Sequence, residues 1–109
     1  MLNQVVLVGR LTCNPEAVEL EGGHKKSTFS VAVPRSFKNS NGEYETDFIR
    51  CVLWDAIASS TAEYCHKGDI VGVKGRLQTS SYEKDGEKKY SMDVIAEKVT
   101  FLSSKKADE

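Results

Sequence analysis

No apolar run in this sequence approaches the roughly 20 residues that span a bilayer. Met1-Leu2-Asn3-Gln4 passes directly into a strand-like apolar stretch, with none of the pattern of a signal peptide. The expectation is a soluble, cytoplasmic protein with no membrane partner. Cysteine is scarce: Cys13, Cys51 and Cys65 are odd in number, widely spaced and without a CxxC pair. That excludes a disulfide framework and suits a reducing compartment. A metal site built from Cys51, Cys65 and His66 lacks a paired ligand motif and a fourth ligand, so no metal is expected. Of the two histidines, His24 lies in a glycine turn and His66 at a helix end. Cys65, beside His66, projects from a different side of the helix, which excludes a nucleophile–base pair. Glycines are dispersed, with no Walker or Rossmann phosphate loop. These absences leave no catalytic residue and no cofactor to assign, and the chain reads as a non-enzyme.

An excess of positive charge is missing too. Fifteen lysines and arginines face 16 aspartates and glutamates, for a net charge of -1. Overall charge is a weak test for a polyanionic partner, because binding depends on where the charges sit. The question is therefore which residues share a face.

With 109 residues, 39% of them hydrophobic, the chain builds one domain around one core. Asn3 to Leu11 is a strand buried or partnered on both faces, with Gly9 marking a bend or bulge. Asn14-Pro15-Glu16 interrupts it, Ala17 to Leu20 continues the sheet, and Glu21-Gly22-Gly23-His24 turns. Thr28 to Val33 alternates with Phe29, Val31 and Val33 inward, and Pro34 closes that strand. Arg35 to Gly42 reads as a polar connection ending in an Asn-Gly turn, with Phe37 held between Arg35 and Lys38. A third strand runs from Thr46 to Trp54. Asp55 then caps a helix reaching Lys67, whose inner residues include Ile57, Ala58, Thr61, Tyr64 and Cys65. Asp69 to Tyr82 is the fourth strand, with Val71, Val73, Gly75 and Leu77 on the core parity. Lys84-Asp85-Gly86-Glu87 makes a hairpin, and Lys88 to Leu102 is the fifth strand. The fold class is all-β: a five-stranded OB-fold barrel with one short α-helix between strands 3 and 4. Residues 1–102 form the domain and 103–109 a short polar tail.

The third strand carries the functional signal. At the two-residue period of a strand, Ile49, Cys51 and Leu53 share one face. Phe48, Arg50, Val52 and Trp54 share the other. Two large aromatics around an arginine are what stacking on bases while holding a phosphate requires. The plainer alternative is a strand covered on both sides, with Arg50 paired to a carboxylate. The fourth strand answers with Lys74, Arg76 and Tyr82 on its own outer parity. In an OB barrel these stretches present aromatics and cations toward a common side. A sheet face merely solvated by charges has no need of Phe48, Trp54 and Tyr82 there.

Asn3 to Leu11 followed by Asn14-Pro15-Glu16 resembles the start of the bacterial single-stranded DNA-binding proteins. Thr46 to Trp54, Tyr64-Cys65-His66-Lys67-Gly68, Gly75 to Thr79 and the Tyr82 hairpin resemble that family's later blocks, in its order and over residues 1–102. The resemblance implies base stacking on Phe37, Phe48, Trp54 and Tyr82, and a phosphate contact at Arg50. Arg10, Arg35, Lys38, Lys74 and Arg76 complete the expected cationic set. It further implies a homotetramer that wraps single-stranded DNA in replication, recombination and repair, associated with the nucleoid or replication fork. The chain departs from the family pattern twice. Gln78-Thr79-Ser80-Ser81 stands where arginine or lysine often precedes the hairpin aromatic. The usual linker with an acidic tip does not follow Asp108-Glu109, so recruitment of repair enzymes through such a tip is not expected. Either a tail was removed, or the chain resembles short accessory members serving DNA uptake, plasmids or phages. A second reading makes the same aromatics the contact of an OB-fold interaction module of the replication-restart type with a protein partner.

Overall fold

A computed structural model describes residues 1–104. Its elements are β1 (Val5–Leu11), β2 (Val18–Glu19), β3 (Lys25–Lys38), β4 (Tyr44–Trp54), α1 (Asp55–Tyr64), β5 (Ile70–Lys84) and β6 (Glu87–Ser103), with a 3-10 turn at Glu21–Gly23 between β2 and β3. The five long strands close into a ring, β1-β5-β6-β4-β3 and back to β1, while the two-residue β2 flanks β3. Closure removes the open edges that a flat sheet of such apolar strands would expose.

β1 makes the closure. It runs antiparallel to β5 from Val5 opposite Gly75 to Arg10 opposite Ile70, and its end also pairs with β3, Leu11 facing Val31. A Cβ on Gly9 would sit 2.8 Å from the Ala32 carbonyl oxygen. Only glycine lets the strand pass so close while it changes partner, which is the bend expected there. A second close approach bends the β5–β6 pair: the register shifts between Lys74 and Gly75, and a Cβ on Gly75 would run into the Ile95 carbonyl oxygen. β4 and β6 join in parallel, Cys51 beside Val94.

Inside the ring, Val31, Cys51, Leu53, Val71, Val73 and Val94 are essentially removed from solvent, and Ala58 of α1 packs onto them. Each valine or leucine so buried contributes about 1.5–3 kcal/mol relative to exposure. The outer parity of β4 is not uniform, since Val52 is buried as well.

Several sequence expectations give way to tertiary contacts. Pro34 does not close the second long strand; β3 continues to Lys38, opposite Tyr44, after a register shift that accommodates the missing N–H of the proline. Phe37 is therefore on a strand arm, not in a loop, and the turn itself is Asn39–Glu43, with Asn39 Oδ1 accepting from the N–H groups of Asn41 and Glu43. The helix stops at Tyr64, three residues early. Cys65 turns extended and enters the core, and the next N–H groups bond outside the helix: His66 to Asp69 Oδ2, Lys67 to Asn14 Oδ1 and Gly68 to the Leu11 carbonyl. Tyr64, expected inward, is exposed on the last turn. Asp55 does not cap the helix. At φ 51° it is its first residue, and its carboxylate accepts from the Lys25 N–H at 3.1 Å and pairs with His24 at 3.3 Å. Leu77 keeps the core parity but stands exposed, because β5 and β6 there extend past the barrel as a long hairpin. Its turn has positive φ at Asp85 and Gly86, as the Asp-Gly pair requires. Ser103 still belongs to β6, and residues 105–109 of the expected tail lie outside the described residues.

Candidate nucleic-acid interface

The register fixes which side chains share the outer face, because directly opposed residues on paired strands project to the same side. Across β3 and β4 the outward pairs are Lys26–Trp54, Thr28–Val52, Ser30–Arg50 and Ala32–Phe48. β3 contributes mostly small residues, so the large β4 side chains stand clear of their neighbours. On the hairpin, Gln78, Ser80 and Tyr82 lie opposite Asp93, Ser91 and Lys89. The Ser80 and Ser91 hydroxyls hydrogen-bond at 2.7 Å and fasten the two arms below Tyr82.

Between the β4 row and the hairpin runs an open groove of about 480 Å³, lined by Lys26, Arg50, Trp54, Gln78, Ser80 and Tyr82 along its rim and by Val52, Ile95 and Asp93 deeper in. The four expected stacking aromatics are all solvent-facing: Phe37 is 65% exposed, Phe48 68%, Trp54 40% and Tyr82 53%. Leaving such apolar area in water is costly unless something else covers it.

The expected residues do not all converge. Arg50, Trp54 and Tyr82 share the groove, and Phe48 extends the same row. Arg76 stands opposite Ile95, next to the groove wall, and Arg10 is opposite Ala32, whose other neighbour is Phe48. Phe37 and Lys38 lie out on the β3 arm, where the Lys38 ammonium sits 5.7 Å from the Tyr44 ring. Lys74 is elsewhere, between Val6 and Lys98.

Electrostatics separates the cations further. Arg35 is committed to two carboxylates: it donates from Nε and Nη2 to Asp47 and from Nη1 to Glu45 at 2.8 Å. That hydrogen bonding holds the Asp47 carboxyl below its usual range and raises Arg35 above its own. Arg10 donates to the Gly68 carbonyl at 2.6 Å. Arg50 Nε lies 3.3 Å from Asp93 Oδ1, so the carboxylate pairing considered from the sequence coexists with an exposed guanidinium in the groove.

Lys26 was not legible as a site residue. It stands over the Trp54 ring at 5.2 Å, a cation–π distance, and lines the groove. Its outward parity, shared with Thr28, was the only sequence signal; the pairing with Trp54 comes from register.

Nucleophilic chemistry has little support. Burial, with Asp93 nearby, pushes the Cys51 thiol up to about 11, and burial raises Cys65 too. His24 and His66 are engaged with Asp55 and Asp69. The arrangement suits binding instead, since flat aromatic faces and cations along one open groove can stack bases and neutralise phosphates.

Residues 2–102 match the model of the Single-strand binding protein family. Among curated proteins, the chain is 47% identical over 106 residues to Single-stranded DNA-binding protein B of Bacillus subtilis, covering 96% of this chain and 94% of that one. It is 49% identical over 106 residues to Single-stranded DNA-binding protein 3 of Listeria innocua, covering 96% of this chain and 66% of the relative, just under two thirds of its length. Among solved structures, the Plasmodium falciparum SSB complex with ssDNA superposes with a TM-score of 0.83 at 31% identity, covering 94% of this chain and 96% of that one.

Proposed function

The chain belongs to the Single-strand binding protein family, and from that premise we propose that it binds single-stranded DNA without sequence preference. Bases stack on Trp54, Phe48 and Tyr82, with Phe37 on the β3 arm a further platform. Arg50 and Arg76 take phosphates beside the groove, and Arg10 and Lys38 do so farther along the strand's path. The role is binding and protection of exposed strands during replication, recombination and repair in the cytoplasm, with no reaction catalysed. Because every base has a π-face, stacking tolerates any sequence.

One observation carries this reading: Arg50 and Trp54 of β4 and Tyr82 of the hairpin, distant from them in sequence, line a single open groove. A homotetramer is part of the proposal. Val6 and Val8 are exposed apolar residues on the outer side of β1, where another copy of the chain has apolar surface to cover.

The test is the double substitution Phe48→Ala with Trp54→Ala. At about 1–3 kcal/mol per stacked base, it should weaken oligo-dT binding by about 2–6 kcal/mol, at least roughly 30-fold. Circular dichroism and elution volume should not change. Unaltered affinity in a folded variant would overturn the assignment. Dissociation of the oligomer, with affinity per protomer kept, would instead favour a protein-binding role for these aromatics.

A further inference from the structure

The binding face continues beyond Trp54. β2 pairs with β3 so that Val18 stands opposite Lys26, and Lys26 stands opposite Trp54. The three side chains therefore form one row across three strands, its ends two strand spacings or roughly 10 Å apart. Lys26 also belongs to a second open groove, of about 620 Å³, whose walls include Cys13, Glu16, Val18 and Leu20. The two grooves thus share a cation at their junction. In the second, Val18 and Leu20 are exposed apolar side chains on and beside the flanking two-residue strand.

The chemistry of this second groove suits a base more than a backbone. Asn14 is on its wall, but its Oδ1 already accepts from the Lys67 N–H at 2.8 Å. Glu16 repels phosphate. Lys26 is the one cationic side chain lining this groove among the described residues, and it stands at the end nearest Trp54. Aliphatic Val18 and Leu20 offer apolar cover to a base or sugar. Lys26 also covers part of one face of the Trp54 ring, which places its ammonium beside a base stacked on that indole.

We infer that single-stranded DNA leaving Trp54 crosses Lys26, sets a phosphate on its ammonium, and seats the next nucleotide against Val18 and Leu20. This rests on the reading of the Trp54 groove as the DNA site and extends its path by one nucleotide subsite.

Cys13 makes the inference testable, because it is exposed in this second groove while Cys51 and Cys65 are buried. Wild-type protein is pulsed with N-ethylmaleimide in the presence of oligo-dT of roughly 4 to 16 nucleotides, the range one OB fold occupies. Trp54 fluorescence is read on the same samples. The shortest oligonucleotides should quench Trp54 and leave Cys13 reactive. Longer ones at about ten times Kd should slow Cys13 alkylation about tenfold, since about one tenth of the sites stay free. Replacing Lys26 by glutamine should reduce the salt slope of binding to the longer oligonucleotides by roughly 0.7, one phosphate contact. Quenching at every length with Cys13 alkylation unchanged overturns the inference, as does an unreactive Cys13 in the free protein or an unchanged slope in Lys26→Gln. Absence of any quenching overturns the underlying DNA reading instead, and the subsite falls with it.

Discussion

Arg50, proposed here to hold a phosphate, already has a partner. Arg50 Nε lies 3.3 Å from Asp93 Oδ1, with the Arg50 side chain 57% exposed and the Asp93 side chain 20%. An incoming phosphate must compete with that carboxylate and also suffers its repulsion. Exposed ion pairs are worth about 0.2–1 kcal/mol, and the more buried carboxylate places this one near the upper end. Substituting Asp93→Asn removes the competitor while keeping the side-chain shape. It should therefore tighten DNA binding by about 1 kcal/mol, roughly fivefold in Kd. The assay is titration of Trp54 fluorescence with oligo-dT at fixed salt, for the wild type, Asp93→Asn, Arg50→Gln and the double variant. The gain should vanish in the double variant, because Asp93 acts through Arg50. Equal or weaker binding by a folded Asp93→Asn would refute the reasoning, and so would a gain that survives removal of Arg50.

Two other expectations follow from the barrel itself. Gly75→Ala drives a methyl group into the Ile95 carbonyl oxygen, so urea unfolding should show a stability loss of about 3 kcal/mol, the upper range for overpacking. Asp47 has its pKa lowered by the Arg35 hydrogen bond, so its contribution to stability is present above the unfolded value of about 3.9 and is lost as pH falls through the lower folded value. The melting temperature of Asp47→Asn should accordingly lie below that of the wild type at pH 7 and converge with it in acid. A difference that persists below that range would rule out the ion pair as its source.

The face of β4 was legible because side-chain alternation is local: Phe48, Arg50 and Trp54 follow from a two-residue period alone. The hairpin at Asp85-Gly86 and the bend at Gly9 were legible for the same reason, since turn chemistry and close backbone approach are written in single residues. What depended on distant partners was not. Nothing near Pro34 announces that β3 resumes its pairing with β4, because the partner residue Tyr44 lies beyond the turn. The helix end at Tyr64 is set by Asn14 and Leu11, which accept hydrogen bonds from Lys67 and Gly68 across 53 or more residues of chain. Arg35 looked like a phosphate ligand in sequence, and only the folded hairpin shows it held between Asp47 and Glu45. Lys26 was missed because a cross-strand pair needs a register, and a register is not a property of one strand.

The aromatic groove carries the proposed function, and Trp54, the chain's single tryptophan, reports on it directly. Oligo-dT added at low salt should strongly quench Trp54 fluorescence. The midpoint should move to higher DNA concentration as salt rises, the association constant falling with a log–log slope of roughly -0.7 for each phosphate held. An unchanged tryptophan spectrum at saturating DNA, or quenching indifferent to salt, would contradict it.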